Sequence, residues 1–164
     1  MKNFFTIQNL AKSAMVAAIY GVLTWLIAPF AFGPIQFRIT EILVLLAFVD
    51  FGYVPGLVVG CFIANLFSPM GIYDVIFGTS ATFIAVFLVG KTKNLIIASL
   101  WPTIANGLIV GFELYYVLKF PFILSAGEVA LGEFVVVTVI GVPIFMTLSK
   151  NKRLIEFLKF KQRF

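Results

Sequence analysis

Long apolar runs, separated by short stretches that are polar or rich in proline and glycine, divide the chain into six hydrophobic segments. A helix that crosses a bilayer needs about 20 mainly apolar residues. The six segments lie at residues 10–27, 35–49, 54–67, 72–90, 95–118 and 128–149, and a basic tail follows at 150–164. This pattern predicts an all-α integral membrane protein that forms one domain, a bundle of six transmembrane helices.

Basic residues fall mainly on one side when the six segments are threaded alternately through a bilayer. Ten of the twelve Lys and Arg residues lie on that side, and only Arg38 and Lys119 lie on the other. Cytoplasmic ends carry such an excess of basic residues. We therefore expect both termini in the cytoplasm. The net charge of +5 then reflects topology and contact with the lipid bilayer, so we expect no nucleic-acid partner.

The composition, 62% hydrophobic and 12% charged, excludes an ordinary soluble domain and leaves no room for a soluble catalytic domain. One cysteine, Cys61, and no histidine argue against disulfide frameworks, Cys/His metal sites and His-based triads. Gly90-Lys91-Thr92 resembles the end of a phosphate-binding loop, but Ala85 stands where that loop needs its first glycine. We expect no metal, no cofactor, no ATP site and no enzymatic activity.

Polar residues cluster in the outer half of the predicted bundle. Ionisable side chains inside a membrane are costly and usually face a cavity or a partner. Arg38 and Glu41 share a helix face at a spacing of three, and Asn106 and Glu113 share a stripe at a spacing of seven. An interfacial Arg38–Glu41 ion pair is the simpler alternative. We predict a solvent-accessible binding pocket formed by Arg38, Glu41, Asn65, Asp74, Asn106, Glu113, Glu128 and Glu133.

The stretch from Ala28 to Pro34 joins the first segment to the Arg38 helix, and its proline and glycine residues oppose a regular helix. Because it lies at the level of the polar residues, we predict a gating lid that includes Phe30, Phe32 and Pro34. The aromatic residues at this level also fit a belt at the lipid interface, and stacking on a flat ligand remains open for a minority of them.

A stripe of small residues follows 3-4-3 spacing along the first segment and consists of Ala11, Ala14, Ala18 and Gly21. Such stripes allow helices to approach closely, either within a bundle or at a partner subunit. The spacing alone leaves both interpretations open.

Several runs of residues are specific enough to indicate a family. They are Gly33 to Glu41 (GPIQFRITE), Gly60 to Pro69 (GCFIANLFSP), Asp74 to Gly78 (DVIFG), Asn106-Gly107, Gly111 to Leu114 (GFEL) and Gly127-Glu128. These runs resemble the queuosine-precursor transporter family called QueT, and the similarity spans nearly the whole chain.

The resemblance implies a substrate-binding S component of an energy-coupling factor (ECF) vitamin transporter. Such a protein has six helices and cytoplasmic termini in the bacterial cell membrane. The implied partners are a membrane coupling subunit and two ATPase subunits on other chains. Ala14 and Ala18 match the Ala-x-x-x-Ala motif by which S components meet the coupling subunit.

The implied substrate is a 7-deazaguanine, namely preQ1, preQ0 or queuine. Its adjacent N–H groups suit a carboxylate, and its carbonyl needs a donor such as Asn65, Asn106 or Arg38. The excess of acids favours preQ1, which carries an aminomethyl cation, over neutral preQ0. Two other functions stay open: a self-sufficient proton-coupled transporter that uses the same carboxylates, and an intramembrane enzyme that uses paired acids.

Overall fold

The computed structural model of the protein describes residues 6–33 and 36–160, and within these ranges the chain is helical and contains no strand. Pro34, which was predicted for the lid, lies outside the described residues, as do Ile35 and the end of the basic tail at 161–164.

The described residues form a bundle of apolar helices with a short helix at each end. The helices are α1 (Ile7–Leu26), α2 (Ala28–Ala31), α3 (Ile39–Val49), α4 (Phe51–Asn65), α5 (Ile72–Lys91), α6 (Leu95–Leu118), α7 (Phe122–Ser149) and α8 (Lys152–Leu158). Four of them, α1, α5, α6 and α7, are long and apolar enough to cross a membrane, whereas α3 and α4 are shorter apolar helices. The chain is therefore a multi-pass membrane protein.

Caps and turns set the ends of the helices. The Thr6 hydroxyl accepts a hydrogen bond of 3.2 Å from the Asn9 amide at the start of α1, and the Asn94 side chain caps α6 in the same way. Gly71 precedes α5 with a φ of +58°, a conformation that glycine adopts without strain. Successive helices of the bundle run in opposite directions. We call the end that holds the start of α1 and the whole of α8 the tail end. We call the opposite end, which holds α2, the turn at 66–71 and Lys119, the lid end.

Small residues allow pairs of helices to pack at short distance. A Cβ added at Gly60 of α4 would lie 2.9 Å from the Ala17 carbonyl oxygen of α1. On the other side of the bundle, a Cβ at Gly111 of α6 would lie 2.6 Å from the Cα atom of Ala126 in α7. Van der Waals packing of this kind is a main source of stability between membrane helices, because lipid tails are as apolar as the side chains.

The last helix differs from the predicted segment at 128–149. It begins at Phe122, so it includes residues that were predicted to form an outer loop, because Ala126 and Ala130 continue the close packing against α6. Its middle part, Phe134–Gly141, is a π-helix, a conformation often found at functional sites.

The basic tail folds back over the tail end of the bundle instead of simply following the last segment. The Tyr53 hydroxyl donates a hydrogen bond of 2.7 Å to the Leu158 carbonyl, and the Phe160 amide donates one of 3.0 Å to Asp50. The ammonium group of Lys12 donates a bond of 2.9 Å to the Lys159 carbonyl. The Phe160 ring occupies the space over Gly52, where a Cβ would collide with it. These contacts fix the tail against α1 and α4.

We predict that Gly111→Ala destabilises the protein by about 1 to 3 kcal/mol relative to Gly127→Ala, because the added methyl group would force α6 away from the α7 backbone. Gly127 is the matched control: it also lies in a helix, and a Cβ there meets nothing within 4 Å. The comparison cancels the gain in helix propensity that both changes share. Unfolding of the two purified variants in detergent, followed by circular dichroism, measures the difference. Equal stability would contradict the close α6–α7 contact.

Candidate functional site

The first part of α3 is a 3₁₀-helix over Ile39–Leu45, where the sequence predicted an ordinary helix from residue 35. A 3₁₀-helix has three residues per turn, so side chains three apart stand in line. Arg38, which caps this segment, Glu41 and Val44 are all buried. The predicted shared face of Arg38 and Glu41 is thus present, and it points into the bundle. Because Arg38 is only 2% exposed, an interfacial ion pair that reaches the aqueous surface is ruled out.

Arg38 forms an ion pair with Asp74 in the first turn of α5. The guanidinium nitrogen lies 3.6 Å from a carboxylate oxygen of Asp74, and both side chains are buried. The other carboxylate oxygen of Asp74 accepts a hydrogen bond from the Ser68 hydroxyl. The positive end of the α5 dipole also favours an acid at this position.

Asn65 joins the end of α4 to α5. Its amide nitrogen donates hydrogen bonds of 3.0 Å to the Asp74 carbonyl and 3.2 Å to the Thr79 hydroxyl. Cys61 is fully buried, and its thiol lies 3.2 Å from the Thr82 hydroxyl as a weak donor. The polar residues of α4 and α5 therefore form one connected group.

Tyr20 of α1 is a site residue that the sequence reasoning missed. It is fully buried, and its hydroxyl donates a hydrogen bond to Glu41. One helical turn later, the hydroxyls of Thr24 and Thr40 lie 2.8 Å apart. The available signal was a polar stripe on an otherwise apolar helix, since Ser13, Tyr20 and Thr24 recur at helical spacing and are all buried.

Helices α6 and α7 contribute buried acids and an amide. Asn106 and Glu113 lie on the predicted stripe of α6 and are 2% and 0% exposed. Glu133 of α7 is also 2% exposed. Among the described residues, the Asn106 amide and the Glu113 carboxyl group make no hydrogen bond, and one carboxyl oxygen of Glu133 makes none. Together with Arg38, Glu41 and Asp74, these two glutamates are the buried charged side chains of the described residues.

The buried atoms without hydrogen-bond partners identify the centre of the site. Buried polar groups in proteins are nearly always hydrogen-bonded, so a cluster of unpaired ones is unusual. Apart from the Thr103 hydroxyl, every such side-chain atom in the described part of the chain belongs to a residue that the sequence predicted for the pocket. These residues are Arg38, Glu41, Asn65, Asp74, Asn106, Glu113 and Glu133. We call these seven residues the carboxyl cluster.

The carboxyl cluster has an excess of acids. Four of its members are carboxylic acids, and Arg38 is the one basic residue that is buried among the described residues. Arg38 forms an ion pair with one of these acids, Asp74. A buried charge is costly unless it is paired. One guanidinium cannot neutralise four carboxylates, so the cluster is suited to hold protons or to bind hydrogen-bond donors and positive charge.

Glu128, which the sequence placed in the pocket, lies apart from the carboxyl cluster. It is half-buried and lines a surface groove with Pro121, Leu124 and Leu131. Five residues on an α-helix correspond to a rotation of about 140° from Glu133, which explains why the two acids face different sides. In the described part of the chain, no group of three or more His, Cys, Asp and Glu residues is arranged to hold a metal ion.

The stretch predicted as a lid contains a single helical turn, α2, with Pro29 at its start, where proline is tolerated. Phe30 is 72% exposed. The Phe32 ring lies under the Arg38 guanidinium, with 5.0 Å between the guanidinium carbon and the ring centre. Other aromatic residues at the lid end, Trp25 and Tyr116 among them, are exposed on the bundle surface, as expected of an interfacial belt.

The small-residue stripe of α1 is divided between two surfaces. Ala11, Ala14 and Ala18 are exposed, whereas Gly21 is buried against Ile63 of α4, whose side chain lies 3.3 Å from the position of a Cβ. Gly21 lies at the border of the face that packs on α4. The exposed alanines leave a smooth surface on the outside of the bundle.

The sequence of the chain is similar to that of a known family of transporters. The family model described as QueT transporter matches residues 10–150. A protein of Lactococcus lactis subsp. cremoris strain MG1363, named queuosine precursor transporter QueT, is 32% identical over 145 residues, which cover 77% of this chain and 83% of that protein. No solved structure matches the chain. With most of its length matched by the family model and by this relative, this chain belongs to the QueT transporter family.

Proposed function

We propose that this protein is the substrate-binding S component of an ECF transporter that takes up a queuosine precursor. The proposal includes six membrane crossings with both termini in the cytoplasm, which the asymmetry of the basic residues supports. The observation that carries it is the carboxyl cluster: a buried set of unpaired polar atoms inside a bundle of the QueT family. The relative from Lactococcus lactis supports the class of substrate through its name.

A 7-deazaguanine has hydrogen-bonding groups that complement the unpaired atoms. Its N1 and N2 hydrogens can be accepted together by the two free carboxylate oxygens of Glu113. The Asn106 amide, on the same stripe of α6, can donate to the ring carbonyl. Glu133 remains to face a positive charge, since both oxygens of Asp74 are engaged by Arg38 and Ser68. This surplus of acids favours preQ1, whose aminomethyl group is a cation, over neutral preQ0.

Energy for uptake comes from partner chains in this proposal. The sequence lacks a nucleotide-binding loop, so ATP hydrolysis falls to two ATPase subunits that act through a membrane coupling subunit. Ala14 and Ala18 are exposed on α1 and carry no bulky side chain, which suits the approach of a helix of that coupling subunit.

The four buried acids also support a second candidate, a proton-coupled transporter that works alone. The two functions differ in one requirement. If the protein is a proton-coupled transporter, vesicles that contain it alone should take up preQ1 in response to a pH gradient. If the protein is an S component, the same vesicles should bind preQ1 without taking it up.

We predict that Glu113→Gln weakens preQ1 binding by about 2 to 4 kcal/mol, because it replaces an acceptor with a donor that faces a ligand N–H group in a buried site. This loss corresponds to roughly 30- to 1000-fold in affinity. Isothermal titration of the purified variant with preQ1 measures it. The protein should remain folded, since Gln has nearly the same shape as Glu.

Glu156→Gln is the matched control. Glu156 is exposed on α8, so this variant should bind preQ1 with the affinity of the wild-type protein. Wild-type affinity in Glu113→Gln would remove Glu113 from the site and make Glu133 the next candidate. No binding of preQ1, preQ0 or queuine by the wild-type protein would overturn the proposed substrate class.

We predict that Ala14→Trp combined with Ala18→Trp abolishes ECF-dependent uptake and leaves the affinity for preQ1 within about twofold. The indole rings would hold a partner helix away from α1, on the exposed side of that helix and not on the buried side that carries Tyr20. Uptake by cells that express the complete ECF module, and titration of the purified variant, give the two readings. Ile104→Trp, an equally exposed position on α6, is the control that should keep uptake. A collapse of ligand affinity in the alanine variant would mean that the stripe packs the bundle.

A further inference from the structure

Hydroxyl groups lie between α6 and α7 on the tail-end side of the carboxyl cluster. Ser99 and Thr103 of α6 precede Asn106 at spacings of four and three, so the three side chains share one stripe of that helix. The Thr138 hydroxyl of α7 donates a hydrogen bond of 3.2 Å to the carbonyl of Ser99 and lies 3.1 Å from the Ser99 hydroxyl. We call Ser99, Thr103 and Thr138 the hydroxyl seam.

The π-helical part of α7 places Thr138 on the same side of the helix as Glu133. Glu133 immediately precedes this part, and Thr138 lies within it. Five residues on a regular α-helix would turn the two side chains about 140° apart. Backbone hydrogen bonds of a π-helix join residues five apart, so its wider turn brings such residues closer to one face. Glu133 is buried and Thr138 contacts α6, so both side chains face the inside of the bundle.

The Thr103 hydroxyl is a buried polar group outside the carboxyl cluster that makes no hydrogen bond among the described residues. The Asn106 amide, one turn further along α6, also makes none. Pro102 has no N–H group, so the helical ladder of α6 is interrupted beside Thr103. Buried polar groups that lack a protein partner commonly bond to ordered water. Thr103 and Asn106 are therefore suited to hold water between the cluster and Ser99.

The seam runs toward the tail end of the bundle. Helix α6 starts there at Leu95, and Ser99 follows within about 6 Å along the helix axis. Asn106 of the carboxyl cluster lies about 10 Å beyond Ser99. The hydroxyl seam thus covers the distance between the buried acids and the first turn of α6.

We propose that the hydroxyl seam, together with water bound to it, carries protons between the carboxyl cluster and the tail end. The proposal rests on the proposed binding function and adds a path for the proton that ligand binding displaces. A membrane interior tolerates little net charge, so a cation that enters the cluster has to be balanced. Arg38, Glu41, Asp74 and Glu113 are the charged side chains buried with Glu133, which leaves Glu133 to release the proton.

The proton transfer conserves charge. The ammonium group of preQ1 approaches Glu133, the O–H bond of that carboxyl group breaks, and its electron pair stays on the carboxylate that then faces the ammonium. The released proton passes to seam water and along the hydroxyls of Thr138 and Ser99, and another proton leaves to water at the tail end. Hydroxyl groups suit this transfer because each one both donates and accepts hydrogen bonds.

Access of introduced cysteines to water tests the seam in the ligand-free protein. Cys61 is the one cysteine of the chain, so Cys61→Ala gives a cysteine-free background. A charged methanethiosulfonate reagent reacts with the thiolate, which forms in water and is disfavoured in apolar surroundings. On inside-out membrane vesicles, the reagent should modify Thr103→Cys at least about tenfold faster than Ile104→Cys.

Ile104→Cys is the matched control, because Ile104 lies next to Thr103 at nearly the same depth but is exposed on the outside of the bundle. Asn94→Cys, in the exposed turn before α6, reports that the reagent reaches the tail end. Equal rates at residues 103 and 104, with Asn94→Cys modified, would overturn the hydrated seam.

Proton release on ligand binding gives the second reading. An impermeant pH indicator on the tail side of vesicles should record about one proton for each preQ1 bound. Thr103→Val combined with Thr138→Val removes two hydroxyls of the seam and should slow this release by at least about tenfold relative to ligand association. Thr147→Val, on the exposed face of α7, is the control that should release protons at the wild-type rate.

Release at the wild-type rate from the double variant would overturn proton transfer through the seam. A wild-type protein that does not bind preQ1 would overturn the proposed function instead. Cysteine modification, which needs no ligand, still decides in that case whether water reaches Thr103.

Discussion

The burial of four carboxylic acids around a single guanidinium is the constraint on which the rest of this structure depends. In a bilayer these groups have no bulk water to stabilise them, so the bundle must supply partners or leave the groups to protons and ligand. Arg38 supplies one ion pair, to Asp74, and Tyr20 supplies a hydrogen bond to Glu41. Glu113 has neither an ion pair nor a hydrogen bond among the described residues. A site built in this way is stable enough to fold and still has unpaired acceptors for a ligand.

The helix packing makes that arrangement possible. Close contacts at Gly60 and Gly111 pack α1 on α4 and α6 on α7. Arg38, at the N-cap of the 3₁₀ segment of α3, and Glu41, in the first turn of that segment, are both buried in the interior of the bundle.

Much of the site could be predicted because membrane burial leaves few explanations for a charged residue. Arg38, Glu41, Asp74 and Glu113 stood out against an apolar background, and all four lie in the carboxyl cluster. Tyr20 did not stand out, because a tyrosine near the end of a membrane helix fits the lipid interface equally well. Its role depends on the rotation of α1 against α4, which close packing determines.

The helix ends were harder to predict than the cluster. Residues 122–127 lay between the last two predicted segments, yet packing of Ala126 against α6 extends the helix through them. Likewise, nothing local indicated that Phe160 would cover Gly52, since the two are far apart in the chain. Glu128 lies apart from the cluster because five residues on a helix turn its side chain about 140° away from Glu133. Contacts between distant residues decided the first two of these features.

A crystal or cryo-EM structure of the protein in complex with preQ1 tests the central claim most directly. The account predicts ligand enclosed between α3, α5, α6 and α7, with the N1 and N2 atoms of the ring within about 3.2 Å of the Glu113 carboxylate oxygens. Ligand seated in a surface groove, such as the one that Phe112, Tyr115 and Phe122 line, with the carboxyl cluster unaltered, would contradict the account.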